Sequence, residues 1–221
     1  MISVIIPAYN EGESIAATIA AIWTVPEVGQ LLVVDDGSED ETAFQAADAG
    51  AQVLRLPRNM GKGAALNRGA GMVTESYIAL LDGELGASAG QLGSLAQPVL
   101  NGTADLAIAK FPTVKGSGGL GLLKGLSGCG IWLTTGLRLA SPLSGQRVMT
   151  RRTMELLMPF AEGYGVEVVM TIEAARRGLR VLEVPTGMVH RTTGRDWAGF
   201  RHRGRQFVEI SRALMQLCRQ E

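Results

Sequence analysis

The feature that most narrows the fold of this chain is a repeated pattern. A short apolar run ends in a polar cluster, and a helical segment follows. The runs are residues 2–6, 31–34, 52–56 and 77–81; 2–6, 31–34 and 77–81 have the length and composition of buried strands, and 52–56 reads as a further strand. They lead into Tyr9-Asn10-Glu11, Asp35-Asp36, the loop 57–63 with Arg58 and Lys62, and Asp82-Gly83-Glu84. Between the runs, residues 14–23 carry Ile15, Ile19 and Ile22 on one helical face. Ser38 with Glu41 three positions on has the spacing of a capping box, which predicts a helix starting at Ser38. Residues 64–73 form a third helix. Alternation with short connections predicts an α/β class: a mixed, mostly parallel sheet flanked by helices on both faces, in a single domain. Core strands do not need polar residues at every carboxyl end. Open α/β sheets bind ligands there.

The second half alternates less cleanly. It reads as a helix over 91–100, a strand over 105–110 and a glycine-rich loop over 115–121 (KGSGGLG). A helix follows over 122–139, then a strand over 146–150 and a short helix over 153–158 stopped by Pro159. A helix over 166–177 ends at Gly178, and a last strand over 179–184 is stopped by Pro185. From Asp196 onward, Trp197, Phe200, Phe207, Ile210, Leu214 and Leu217 have the spacing of an amphipathic helix. The division is therefore 1–90 and 91–190 as two halves of one domain, with 191–221 as a helical tail.

Composition removes several classes. At 221 residues, with 46% hydrophobic and 19% charged, the chain can build a core and is not globally disordered. Its formal net charge is zero, which argues against broad nucleic-acid binding. Cys129 and Cys218 form no metal or redox motif, so a reducing cytoplasm is expected. The opening residues lack a signal-peptide pattern. No uncharged apolar stretch reaches the ~18 residues that span a bilayer. From His190 the tail holds seven arginines against three acids. It reads as a packing helix with a solvated basic face. The alternatives are rest on an anionic membrane surface, with a polyprenyl-phosphate acceptor, and a homodimer contact.

Two places carry chemistry by residue type alone. In extended backbone, positions i and i+2 point the same way, so Asp82 and Glu84 can face one point beyond their strand. Two hard oxygen donors there suit Mg²⁺ or Mn²⁺, completed by phosphate oxygens and water. Lys62, in GKGAA, sits at a helix start. Such a start favours anions, so a lysine there is better explained by a bound diphosphate. The stretch lacks the Ser or Thr after Lys that a P-loop requires. Arg58 and Arg68 read as surface residues.

IIPAYNEGESI, VVDDGSEDET, RNMGKGAALNRG and LLDGELGAS, in that order and spacing, resemble the nucleotide-sugar half of glycosyltransferase family 2, which has the Rossmann-like GT-A fold. LSGQRVMTRR, FAEGYGVEVVMTIEAARRG and VHRTTGRD resemble more narrowly the glucosyl-3-phosphoglycerate synthases and related bacterial transferases. The resemblance implies a metal-dependent transferase using a nucleotide-diphosphate sugar, UDP-linked by expectation. Pro7, Ala8, Tyr9 and Glu11 would cradle base and ribose. Asp36, in preference to Asp35, would accept a hydrogen bond from the uracil N–H. Asp82 and Gly83 would meet the nucleotide.

Asp82 and Glu84 match the family's Asp-x-Asp, with Glu as a departure one methylene longer. His190 would complete the metal site; His202 has no assignment. Glu167 falls where relatives put an acceptor-side carboxylate, as base if configuration inverts and as acceptor orienter if it is retained. Leu143, Ser144, Gly145, Gln146 and Arg147 would line the acceptor pocket. The relatives' arginine soon after a Gly-Gly is missing at Gly118-Gly119-Leu120, which weighs against 3-phosphoglycerate as acceptor. Two other classes stay open at this point: a sugar-phosphate nucleotidyltransferase, and a nucleotide-sugar binding module without turnover.

Overall fold

The computed structural model describes residues 1–112, 120–161 and 165–189. In chain order its elements are β1 (Ile2–Ala8), α1 (Ile15–Trp23), β2 (Val28–Asp35), α2 (Thr42–Asp48), β3 (Gln52–Arg55), α3 (Lys62–Ala70) and β4 (Tyr77–Leu80). A 3-10 turn (Gly86–Gln91) follows, then α4 (Leu92–Leu100), β5 (Leu106–Lys110), α5 (Leu120–Thr135) and β6 (Arg147–Thr150). The last elements are α6 (Arg151–Leu157), α7 (Val166–Arg176) and β7 (Val181–Pro185).

The strands form one seven-stranded sheet in the order β3-β2-β1-β4-β6-β5-β7. β1 to β4 pair in parallel, β6 runs antiparallel to both β4 and β5, and β7 pairs in parallel with β5. The expected mixed, mostly parallel sheet is therefore present, with β6 as the strand that reverses.

Strand alternation divides the side chains between two cores. Val4, Ile6, Leu31, Val33, Ala79, Ala107 and Val148 pack with Ile15, Ile19 and Ile22 of α1 and Leu92, Leu95 and Val99 of α4. Ile5, Leu32, Val34, Ile78, Leu80, Ile108 and Met149 pack on the other face with Leu66 of α3, Met154 of α6 and Met170 of α7. Ile5 and Ile6 are both fully buried, and each such side chain contributes about 2 kcal/mol by leaving water. A run without polar alternation is what a strand covered on both faces requires.

Several boundaries differ from the sequence reading. The capping box at Ser38 does not form: α2 begins at Thr42, and the Ser38 hydroxyl instead accepts from the Asn10 N–H at 2.9 Å. Asp40 serves the helix start, accepting from the Thr42 N–H at 3.0 Å. α3 begins at Lys62, two residues early, and ends at Ala70. β7 includes Pro185. An edge strand tolerates proline because one side of its backbone has no strand to donate to. Residues 113–119, which take in most of the glycine-rich loop expected over 115–121, lie outside the described residues, as do His190, His202 and the tail; Leu120 and Gly121 instead open α5. Among the described residues, no helix is long and apolar enough to cross a membrane.

Candidate active site

The reversal of β6 builds the site. Because β6 is antiparallel to β4, with Leu80 opposite Arg147, the residues entering β6 lie beside those leaving β4. Gln146 thereby meets Asp82 twice. Its amide nitrogen donates to the Asp82 Oδ2 at 2.6 Å, and its carbonyl oxygen accepts from the Asp82 backbone N–H at 2.9 Å. On the other side of the carboxylate stands Lys62, whose Nζ is 2.7 Å from Asp82 Oδ1 and 2.8 Å from Glu167 Oε1. α3 delivers the lysine at its first residue, and α7 delivers Glu167 in its first turn.

The approach is close enough to require glycine. A Cβ on Gly145 would stand 2.6 Å from Lys62 Nζ and 2.9 Å from Asp82 Oδ2. Burial pulls the Lys62 pKa down, but the charges of Asp82 and Glu167 outweigh it and hold the ammonium above the ordinary lysine range.

Asp82 and Glu84 do not share an extended strand. β4 ends at Leu80, and Gly83 and Glu84 lie in a turn. Thr18 fixes that turn: its hydroxyl donates to the Gly83 carbonyl at 2.7 Å and accepts from the Gly86 N–H at 2.8 Å. Glu84 lines a shallow cleft with Glu13, Ser14, Ala17 and Val189. Val189 is tied there by its N–H, which donates to the Ser88 hydroxyl at 3.2 Å.

Burial, then the nearby charge of Glu84, push the Glu11 carboxyl up to about 7, against a lowering bond from Ser14. Carboxylates crowded at one sheet end, all hard oxygen donors, fit a divalent cation. Among the described residues no three acidic, histidine or cysteine side chains form a metal cluster. The expected third ligand, His190, lies outside them.

The donor-side residues sit at the ends of β1 and β2. Pro7 and Ala8 close β1, Tyr9 follows at 43% exposure, and the Ala8 carbonyl accepts from the Asp36 N–H at 2.8 Å. The Glu11 N–H is held by the Thr42 hydroxyl at 2.8 Å, and the Gly12 N–H by Asp40 at 3.0 Å. Asp36 accepts from the backbone N–H groups of Met60 and Gly61 at 2.8 and 2.7 Å. A carboxylate has about four lone-pair sites, so this double bond to the loop leaves capacity for a base N–H.

Gly37, at φ +74°, permits the contact. A Cβ there would stand 2.6 Å from the Arg58 backbone. Asp35 is fully buried, accepting from the Ser38 N–H at 2.9 Å. Its Oδ2 lies 3.2 Å from Arg55 Nε without hydrogen-bond geometry. Arg58 and Arg68 are exposed, as expected.

The acceptor-side stretch is more buried than its sequence suggests. Leu143 is half-buried, while Ser144, Gly145, Gln146 and Arg147 are buried. Arg147 is fully enclosed. Its Nε donates to the Ser144 carbonyl at 3.0 Å. Its two terminal nitrogens and the Ser144 hydroxyl have no hydrogen-bond partner among the described residues. Burial lowers the Arg147 pKa to about 10, with partial relief from Glu167. Thr18, Thr42 and the role of Gln146 toward Asp82 were missed from sequence. Their contacts span 65, 31 and 64 positions and leave no local signal.

The family model described as glycosyl transferase family 2 matches residues 3–145. Among curated relatives, the glycosyltransferase AglJ of Haloferax volcanii is 28% identical over 203 residues, covering 88% of this chain and 65% of that protein. The undecaprenyl-phosphate mannosyltransferase of Micrococcus luteus is 32% identical over 211 residues, covering 86% and 84%. Among solved structures, glucosyl-3-phosphoglycerate synthase from Mycobacterium tuberculosis, in complex with Mn²⁺, UDP and glucosyl-3-phosphoglycerate, superposes with a TM-score of 0.83. That match is 27% identical and covers 99% of this chain and 80% of that one. The same synthase is also known with Mg²⁺ and UDP. The fold is thus the GT-A fold of these neighbours.

Proposed function

Because the chain belongs to glycosyl transferase family 2, we propose that it moves a sugar from a UDP-linked donor to an acceptor bearing an anionic group, with Mg²⁺ or Mn²⁺. The observation that carries this reading is Lys62 held between Asp82 and Glu167 at the carboxyl end of β4. It is a cation beside carboxylates at the sheet end where open α/β folds bind ligands, which supports a diphosphate there. The neighbour that binds UDP with Mn²⁺ has the same fold.

Pro7, Ala8, Tyr9 and Glu11 receive base and ribose, and Asp36 accepts from the uracil N–H. Asp82, Glu84 and His190 hold the metal. When bound, that ion supplies charge neutralisation for the departing diphosphate. Lys62 turns from the carboxylates to the diphosphate oxygens and stabilises the same developing charge. Glu167 is left to orient the acceptor hydroxyl, and takes its proton if the reaction inverts configuration.

Arg147, fully buried with its two terminal nitrogens unpaired among the described residues, supports an acceptor with a phosphate or carboxylate, because an enclosed and incompletely paired guanidinium is costly without an anion. A relative acting on undecaprenyl phosphate fits that chemistry. The work then belongs in the cytoplasm, with the basic tail 191–221 meeting a membrane surface if the acceptor is a lipid phosphate.

The test is calorimetric titration of UDP with and without Mn²⁺ on the wild type and on Asp82→Ala. Metal-dependent binding that disappears in the variant is the expected result. UDP binding indifferent to both metal and Asp82 overturns the metal-assisted reading.

A further inference from the structure

We infer that Gln146 is the positioning residue for Asp82, fixing the carboxylate in the orientation that receives the donor's divalent cation. The inference rests on the proposed metal role of Asp82 and adds to it a residue that touches neither donor nor acceptor. Gln146 is fully buried and leaves no side-chain polar atom for an acceptor, contrary to its expected place in the pocket lining. Both of its polar atoms serve Asp82. The amide N–H reaches Oδ2 at 2.6 Å, and the amide oxygen takes the backbone N–H at 2.9 Å.

This two-point grip constrains more than a single bond could. The backbone bond fixes where the Asp82 Cα lies, and the side-chain bond fixes how the carboxylate turns about its own axis. Lys62 holds the other oxygen at 2.7 Å, but through a long flexible stem that a diphosphate can draw away. The grip from Gln146 is local and has no competing partner among the bonds described. When Lys62 leaves, Gln146 keeps the carboxylate in place.

The residue type also matters. Only a side chain with one donor and one acceptor can answer a carboxylate and an N–H together. A glutamate would still accept from the N–H, but would set a second negative charge against Asp82. The register of β4 and β6 is already set by backbone pairing from Tyr77↔Thr150 to Leu80↔Arg147. The side-chain grip is therefore not needed to align the strands. Groups that orient a metal ligand from behind typically change metal affinity about 10- to 100-fold when removed.

The experiment measures Mn²⁺ affinity directly, by the spin-resonance signal of free Mn²⁺ in the presence of UDP. It compares the wild type, Asp82→Ala, Gln146→Met and Gln146→Asn, each with a thermal melt. Gln146→Met removes both bonds at similar volume. Gln146→Asn keeps the amide but draws it back by one methylene, so that it cannot reach both points, and it serves if the methionine variant fails to fold. We expect the Mn²⁺ Kd to rise about tenfold or more in the folded Gln146 variants, while UDP affinity without metal stays at the wild-type value.

Loss of melting temperature with an unchanged Mn²⁺ Kd would mark a purely structural glutamine and overturn the inference. If Asp82→Ala itself binds Mn²⁺ like the wild type, the metal reading of Asp82 fails, and the inference fails with it. The two failures are thus distinguishable.

Discussion

Replacing Lys62 with methionine tests the electrostatics of the site most directly. The substitution keeps an unbranched side chain of similar length and removes the ammonium from two carboxylates at 2.7 and 2.8 Å. Each hydrogen bond to a charged group contributes about 1.5–3 kcal/mol, and removing one member of a fully buried ion pair costs about 3–5 kcal/mol. The Lys62 side chain is 28% exposed, so solvent recovers part of that loss, and the thioether gains some apolar contact. A net destabilisation of about 3 kcal/mol follows, roughly a 100-fold change in the folding equilibrium.

With a urea slope of about 2 kcal/mol/M for a chain of this size, the midpoint falls by about 1.5 M. The measurement is urea unfolding followed by tryptophan fluorescence in metal-free buffer. The pH dependence is also fixed in sign. A lysine whose folded pKa is raised contributes stability that is fully present below its unfolded value of about 10.4. That stability is lost only as pH rises through the still higher folded value. The deficit of the variant should therefore be flat between pH 6 and 9 and shrink in stronger alkali. A variant within 0.5 kcal/mol of the wild type at pH 7.5 would refute the claim that these two ion pairs stabilise the unliganded site.

Two further outcomes follow from close contacts and buried charge. Gly145→Ala should destabilise the protein by about 1–3 kcal/mol, because its Cβ would stand 2.6 Å from Lys62 Nζ and within about 3 Å of both Asp82 oxygens; a melting temperature equal to that of the wild type would show that the loop has room. Arg147→Met removes an enclosed guanidinium whose two terminal nitrogens have no partner among the described residues. It should leave the free protein as stable as the wild type or up to about 3 kcal/mol more stable, while abolishing any thermal stabilisation by inorganic phosphate. Equal protection of both proteins by phosphate would remove Arg147 from the acceptor site.

Much of the first half was legible because its signals are local. Residues 31–34 and 77–81 are apolar without alternation, as are 2–6 apart from Ser3, and burial on both faces is what such strands require. Lys62 and Asp82 stood out because a cation at a helix start and a carboxylate just beyond a strand are each unexplained by packing. The misreading at Ser38 has the same origin. Its spacing to Glu41 satisfies a capping box, but the hydroxyl is taken by the Asn10 N–H from a loop 28 positions away. Local spacing lists candidate partners; it does not record a competing partner that only the folded chain brings near.

By itself, the sequence determined the α/β class, the polar clusters that follow the carboxyl ends of β1, β2 and β4, and the residue types that suit a metal and a diphosphate. Periodicity and charge report on neighbours a few positions apart, and those features are built from such neighbours. The tertiary structure alone decided that β6 enters antiparallel between β4 and β5. That reversal buried Ser144, Gly145, Gln146 and Arg147 beside the end of β4. It committed Gln146 to Asp82, required glycine at 145, and enclosed Arg147 with its two terminal nitrogens unpaired among the described residues. The reason is physical: strand order and direction are set by the summed burial of two whole cores. No single stretch of chain carries a record of that sum.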